Sequence, residues 1–476
     1  MDRPKKSKKT QKNLKVNKSI ASMNRKYIFL CFFLGIFGAL MAQENVLSKE
    51  DAIQLALENN FGIKVARNLV EISDNNRGIL NSGYLPNLSS TAGANYNELN
   101  SNTSYPGQFE ANGEPRADLE IKNAESQNFN AGVGVNYTLF DGLGRLYNYK
   151  RLQEQYQLSE LQARETIENT LLQLLSVYFE VARLTENQKV LQQALEISTQ
   201  RIQRAKYAFE YGQNTQLDVL NAQVDATNDS INLLNTQQQL ANTKRDLNVV
   251  LNRSLDEAYQ VDTLVNFLPR LRLDELIDQA QENNVAILQT ERNVAINAYD
   301  IKVNKSGYLP NIGLNGSYGW NLNQSAANSF LPGQIIPGSN RNAFNFALGA
   351  SLTWNLFDGG GTSVRVKNSK IAYQNQQLLQ KQVELEVDRD IANALAFYEN
   401  RVNIYQIQEQ NVLTNENNFE RSKEQFQLGR VTSIEFRQAQ INLLNAQTNK
   451  NLAKYDAKLA ELQLLQLTGQ LLNVAL

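Results

Sequence analysis

Histidine is absent from the 476 residues, and the one cysteine, Cys31, sits in an apolar run near the N-terminus. Cys/His zinc sites, Cys–His nucleophiles, Ser–His–Asp triads and disulfides are thereby excluded. Chemistry on Asp, Glu, Lys or Ser stays open, without the commonest general acid/base; no cofactor is expected. Proline is scarce: after the leader it occurs at 86, 106, 115, 269, 310, 332 and 337, so residues 116–268 and 338–476 have none. Between Gly144 and Gly307 the one glycine is Gly212, and after Gly361 only Gly429 and Gly469 occur. Stretches this long without either breaker, rich in Gln, Leu, Ala, Glu and Arg, predict long helices.

The first 42 residues stand apart. Lys5, Lys6, Lys8, Lys9, Lys12, Lys15, Lys18, Arg25 and Lys26 precede an apolar run from Ile28 to Ala42. A basic segment, an apolar core and a small residue before polar Gln43 predict a secretory signal over 1–42. Met23 offers an alternative start. The competing reading is a membrane anchor, but about 15 residues fall short of the roughly 20 needed to span. Cys31, mid-run behind Phe29 and Leu30, is a poor acylation site. Without the leader, 47 basic residues lose ten and 48 acidic residues lose Asp2, leaving 37 against 47, a net charge of −10. That lacks the basic footprint nucleic acid requires. No later apolar run matches a transmembrane helix, so any membrane crossing falls to strands.

A repeat covers the remainder. SGYLPNL at 82–88 matches SGYLPNI at 306–312, and Glu58-Asn59-Asn60 matches Glu282-Asn283-Asn284, both at an offset of 224. Leu139-Phe140-Asp141-Gly142, Gly212 and Ala222-Gln223 match Leu356-Phe357-Asp358-Gly359, Gly429 and Ala439-Gln440 at an offset of 217. Ordered landmarks at fixed offsets define two copies of one unit, 43–268 and 269–476. Each copy is expected to hold a short helix (61–81; 285–306), a long one (145–210; 362–427) and a returning one (216–253; 432–467). Ile167, Leu171, Leu174, Tyr178 and Val181 step by 4-3-4-3, as do Leu195, Ser198, Ile202, Ala205 and Phe209. That is a coiled-coil-like seam. The long helix would reach about 100 Å, nearly the summed length of the other two. One continuous helix should therefore pair with a split column.

Between the SGYLP and LFDG landmarks, within 86–141 and 310–358, the period becomes two. Phe129, Ala131, Val133, Val135, Tyr137 and Leu139 alternate with Asn130, Gly132, Gly134, Asn136 and Thr138; the runs 312–322 and 344–356 behave alike, and that after Leu88 more weakly. Each is about the 9–11 residues a tilted strand needs to cross a bilayer. The tips, 99–126 and 323–341, read as loops rich in Asn, Ser, Gly and Pro. Four strands are too few to close, and open edges cannot sit in hydrocarbon. Two chains would give eight strands and a filled lumen; three would give twelve and an open one. The alternative is a half-buried sheet packed on its own helices.

Taken together, these landmarks resemble the TolC family of outer-membrane efflux channels. The most specific are GYLPNL/GYLPNI, LFDG, YGQNTQLDVLNAQ (211–223), LGRVTSIEFRQAQ (428–440) and the opening LSKEDAIQLALENN (47–60). The resemblance implies a mainly α chain with four membrane strands, assembling as a homotrimer with a twelve-stranded barrel in outer-membrane lipid and a twelve-helix tunnel in the periplasm of a Gram-negative bacterium. Its partners would be a periplasmic adaptor and an inner-membrane efflux pump or ABC transporter, and the channel itself would catalyse nothing. The turns at Gly212, Thr215, Gly429 and Thr432 would dock the adaptor, and Asp218 and Glu435 would line the periplasmic constriction. The second copy departs from the family's usual pattern in carrying Glu435 and FRQAQ.

Two readings compete at several of these residues. Thr215-x-x-Asp218 and Thr432-x-x-Glu435 are also capping-box patterns. Asp218, Asn221, Asp225 and Asp229 share one helical stripe, matched by Glu435, Gln438, Asn442 and Ala446. Three such stripes would make acidic rings attractive to cations; a solvated outer face is the alternative for Asp225 and Asp229. Gly83 and Gly307 fit the left-handed position ending a helix, with Pro86 and Pro310 blocking its continuation. Tyr84, Tyr137, Phe140, Tyr308, Trp354 and Phe357 suit an interfacial girdle beside the Asp141 and Asp358 junctions, with core packing the alternative for Phe140 and Phe357. A non-conducting periplasmic tether or adhesin and a carboxylate glycosidase are the rival functions.

Overall fold

A computed structural model describes residues 46–331 and 334–474; the signal expected at 1–42 lies outside them. In chain order the elements are β1 (Val46–Leu47), α1 (Lys49–Asn59), α2 (Phe61–Arg77), β2 (Asn87–Thr103), β3 (Leu119–Asp141), α3 (Gly144–Glu210) and α4 (Gln216–Leu251). There follow β4 (Gln260–Val261), α5 (Arg270–Asp278), α6 (Ala280–Asn283), α7 (Val285–Lys305), β5 (Asn311–Ser325), β6 (Asn328–Leu331), β7 (Gln334–Ile336), β8 (Ser339–Thr353), α8 (Gly361–Gln427) and α9 (Ser433–Leu467).

α3 and α8 each run 67 residues, about 100 Å. α2 packs on the sheet-proximal part of α3 and α4 on its far part; α7 and α9 pack on α8 in the same way and also touch α3. The helices therefore stand in four columns, α2 with α4, then α3, then α7 with α9, then α8. The sheet has the same order, β2-β3-β5-β8, antiparallel throughout. Each strand runs into the helix of its own column.

One residue type splices the split columns. Asn60 caps α2 by accepting from the amides of Gly62 and Ile63, while its Nδ2 donates to the Val250 carbonyl near the end of α4 at 2.9 Å. Asn284 caps α7 through the Ile287 amide and donates to the Leu467 carbonyl ending α9 at 2.7 Å. Each amide thus satisfies orphan groups of two helix ends at once.

The main core lies midway along the helices, where Leu171, Leu174, Leu175, Tyr178 and Phe179 of α3 meet Leu247 and Leu251 of α4 and Leu462, Leu464 and Leu465 of α9. The segment joining the repeats crosses here and is held by side chains. Tyr178 donates to the Leu47 carbonyl and accepts from the Asp262 amide, tying β1 to the chain just after β4. Lys458, fully buried, donates to the Asn266 carbonyl and to Glu461, whose other oxygen accepts from the Leu268 amide. A buried ion pair persists only when its remaining hydrogen-bonding capacity is met in this way.

Three expectations need correction. The strands outrun 9–11 residues: β2 has 17 and β3 has 23. The span 99–126 is largely strand, because Leu99–Thr103 keeps pairing with Leu119–Ala124 across a bulge, and 323–341 contains the β6–β7 hairpin. Polar Asn, Ser and Thr side chains do not prevent a ladder where water solvates both faces. The helices expected to reach 81 and 306 end at Arg77 and Lys305 and continue as 3-10 turns, Ile79–Asn81 and Ser306–Tyr308. Among the described residues no helix is long and apolar enough to cross a membrane.

Candidate functional site

The far ends of the helical columns are two matching turns. The chain leaves α3 through Gly212 at φ 74° and α8 through Gly429 at φ 71°. Neither glycine has an atom near its missing Cβ, so the left-handed backbone alone selects it. Thr215 then starts α4 with a reciprocal cap: Asp218 Oδ2 accepts from the Thr215 amide at 2.9 Å and its hydroxyl at 2.8 Å, while the Asp218 amide donates back to Thr215 Oγ1. Thr432 and Glu435 Oε2 repeat this at 2.8 and 2.9 Å. The backbone hydrogen bond from each threonine, then its hydroxyl, hold both carboxyls below their ordinary range. Each cap uses a single carboxylate oxygen. The other is uncommitted, on an exposed Glu435 and a half-exposed Asp218.

Asp225 and Asp229 are ion-paired carboxylates rather than a solvated outer face. Asp218, Asn221 and Asp225 each sit one residue before a buried seam position of α4, namely Val219, Ala222 and Ala226. The next seam step is three residues, the stripe's is four, and the two converge on Asp229, whose side chain is 2% exposed. There Arg437 of α9 binds it in bidentate fashion at 2.7 and 2.8 Å, and Ser198 of α3 donates to it. Asp225 pairs with Arg201 of α3 at 3.0 Å, and Arg201 also donates to Ser433. Gln440 completes the lattice through the Ala194 carbonyl and Ser198. Three helices from both repeats are thus bolted together between about one and four turns from the tips. Asn221 and Gln438 stay exposed, the latter donating to Asn442.

Sequence reasoning missed Arg201 and Arg437, although a signal existed. At the 217 offset Arg437 stands where the first copy has Leu220, and Asp229 stands where the second has Ala446. Each charge replaces an apolar residue of the other repeat, and the two replacements meet. Beside this lattice, α3, α8 and α9 line a groove of about 420 Å³. Phe426 stacks on Phe436 at 4.8 Å within it, and Arg204 lies over Phe426 while donating to the Phe426 and Gln427 carbonyls.

At the sheet end, Asp141 and Asp358 cap the long helices. The Arg145 amide donates to Asp141 at 2.7 Å; the Thr362 amide and hydroxyl donate to Asp358 at 2.7 and 2.6 Å. Gly83 has the left-handed φ of 75°, and its carbonyl accepts from Arg145. Gly307 does not: it lies inside a 3-10 turn, and its missing Cβ would come within 3.1 Å of Thr362 Oγ1. Close helix packing, rather than backbone handedness, selects that glycine. Pro86 and Pro310 directly precede β2 and β5. Phe357 is strongly exposed and Phe140 half-buried; Trp354 donates to the Tyr308 carbonyl.

Four antiparallel strands with one apolar exposed face, continued by four helical columns ending in paired capped turns, make one open-edged unit of sheet and helices. The chain belongs to the outer membrane efflux protein family, whose sequence model matches residues 52–253 and 276–470, and its place is the outer membrane. It is 24% identical over 399 residues to the outer membrane protein TolC of Vibrio cholerae, covering 82% of this chain and 83% of that one. To the outer membrane efflux protein BepC of Brucella suis it is 22% identical over 442 residues, covering 91% and 88%. Its fold is similar to the CmeC outer membrane channel of Campylobacter jejuni (TM-score 0.68, 17% identity, 89% and 86% covered) and to VceC of Vibrio cholerae (0.67, 15%, 88% and 96%).

Proposed function

We propose that three copies of this chain close into a conduit that passively carries solutes from the periplasm to the exterior and is gated at the turns around Gly212 and Gly429. The observation that carries this is the pair of unfinished edges. β2 and β8 each have one unpaired side, and Leu88, Phe344, Phe346, Leu348 and Leu352 stay exposed on the apolar face. α8 exposes Val364, Ile371, Leu378 and Leu385 at sevenfold spacing. The opposite edge exposes Leu217, Leu220, Val224, Ile231 and Leu234 of α4 at seam spacing. A lone chain would leave sheet edges in hydrocarbon and apolar heptads in water. Head-to-tail closure of three copies buries both and gives twelve strands and twelve helical columns.

In this conduit the free oxygens of Asp218 and Glu435 would ring the narrow end. Opening would slide α9 away from α3 and α4, breaking the Arg437–Asp229 pair and the Arg201–Ser433 hydrogen bond. A periplasmic adaptor would dock at the turns, where Tyr211 and Leu428 are exposed as an equivalent pair, and would couple the duct to an inner-membrane pump. The test is conductance of purified trimers in planar bilayers. Steady ion current supports the conduit; closed trimers that stay silent even with the lattice broken support a structural tether.

A further inference from the structure

We infer that Arg341 is the charge-selecting residue of the outer mouth, an inference that rests on the conduit reading above. It begins from the sheet register. Along β5 from Gly313 to Ser325, every second residue, together with its partners on β2, β3 and β8, lies on the polar face. These positions hold Gly, Ala, Ser, Thr and Asn, and a single ionisable side chain, Arg341, opposite Asn323. Among the described residues of those rows no acid lies on that face to neutralise it. The nearest acids along the ladder, Glu98 and Glu125, pair with each other one residue out of phase, on the side of Tyr96. Arg341 is exposed and has no ion-pair partner among the described residues.

The surroundings sharpen the effect. The asparagine amides lie across the sheet rather than standing off it: the missing Cβ of Gly93 would fall 2.8 Å from Asn130 Oδ1, and that of Gly349 3.2 Å from Asn315 Oδ1. An arginine rising from so flat a surface is the longest group there. Its row is near the end of the sheet remote from the helices. Three copies would place three guanidinium groups around one level of an otherwise uncharged wall, the arrangement that favours anions in a pore. The acidic ring proposed at Asp218 and Glu435 lies at the other end. The duct would be positive where it empties and negative where it fills, so the outer ring draws small anions to a mouth whose inner end attracts cations.

Purified trimers in a planar bilayer under a KCl gradient test this. Arg341→Gln should raise the potassium-to-chloride permeability ratio and Arg341→Glu should raise it further, whereas Arg341→Lys should leave the reversal potential in place. Conducting Arg341→Gln and Arg341→Glu trimers with the wild-type reversal potential would overturn the role of Arg341 and leave the conduit standing. Trimers of every variant and of the wild type that carry no current even with Arg437→Leu added to break the lattice would overturn both.

Discussion

α3 and α8 occupy equivalent places in the two repeats and have equal length, yet sixteen residues of α3 are buried and seven of α8. Packing rather than propensity makes the difference. α3 has a split column on each side; α8 has one on one side and nothing on the other. The covered seam of α3 carries ion pairs and amide bonds to α7, as in Arg151–Asp300, Arg292–Glu154 and Gln289–Glu165. Shifting those positions by 217 and 224 residues gives Asn368 with Asn76, Ile371 with Asn68, and Gln382 with Val65. The inner seam is therefore charged and the outer one apolar and amide-rich, as suits a contact formed between separate chains rather than within one.

The largest effect that would sharpen this contrast is at the lattice joining the repeats. Arg437→Leu leaves Asp229 buried without its partner, which costs about 3–5 kcal/mol, and should raise single-channel conductance and lower the melting temperature. Adding Asp229→Ala restores the leucine and alanine of the opposite repeat and should recover much of the stability while the duct stays leaky. Recovery of the closed state by the double variant would argue against the lattice as a lock.

Next in size are the splices. Asn284→Ala removes a cap and a buried hydrogen bond, worth about 1–2 kcal/mol; Asn60→Ala, at the half-buried edge column, should cost less. Denaturant melts of both variants compare the inner column with the outer one directly. Equal losses would contradict the difference in environment.

The capped turns give a pH effect. Asp218 and Glu435 have depressed pKa values in the folded state, so the stability they add is present above the ordinary carboxylate range and is lost as pH falls through their lowered values. A spin label on Gln213→Cys should become more mobile only in that acid range, and Thr215→Val should move the onset upward. The smallest effect belongs to the helix starts: Leu143 holds φ 67° where the second repeat has Gly360 at φ 90°. Leu143→Gly should stabilise by about 1 kcal/mol, measured by thermal denaturation.

Helix extents were legible because Gly and Pro are so rare that Gly212, Gly429, Pro86 and Pro310 punctuate the chain by themselves. The strands were legible through alternation, but not their upper ends: Leu119, Ile121 and Ala124 share one face, yet the bulge between them breaks the period, and Leu99–Thr103 opposite is largely polar. At the candidate site the capping boxes are local, four residues long, and readable. The Arg437–Asp229 pair spans 208 residues and depends on which side of α4 turns inward, which a stripe drifting from seam-adjacent to seam cannot convey. Gly307 shows the same limit: its reason is Thr362, a neighbour only in space.

Closure of three chains edge to edge is tested most directly by crosslinking. The described residues contain no cysteine, so Val65→Cys with Gln382→Cys would place one thiol on each open edge, too far apart to join within a chain. Oxidised membranes should yield covalent rings of three chains, and either single variant none. Two thiols that remain free, or a ladder that stops at dimers or runs on past trimers, would contradict the account.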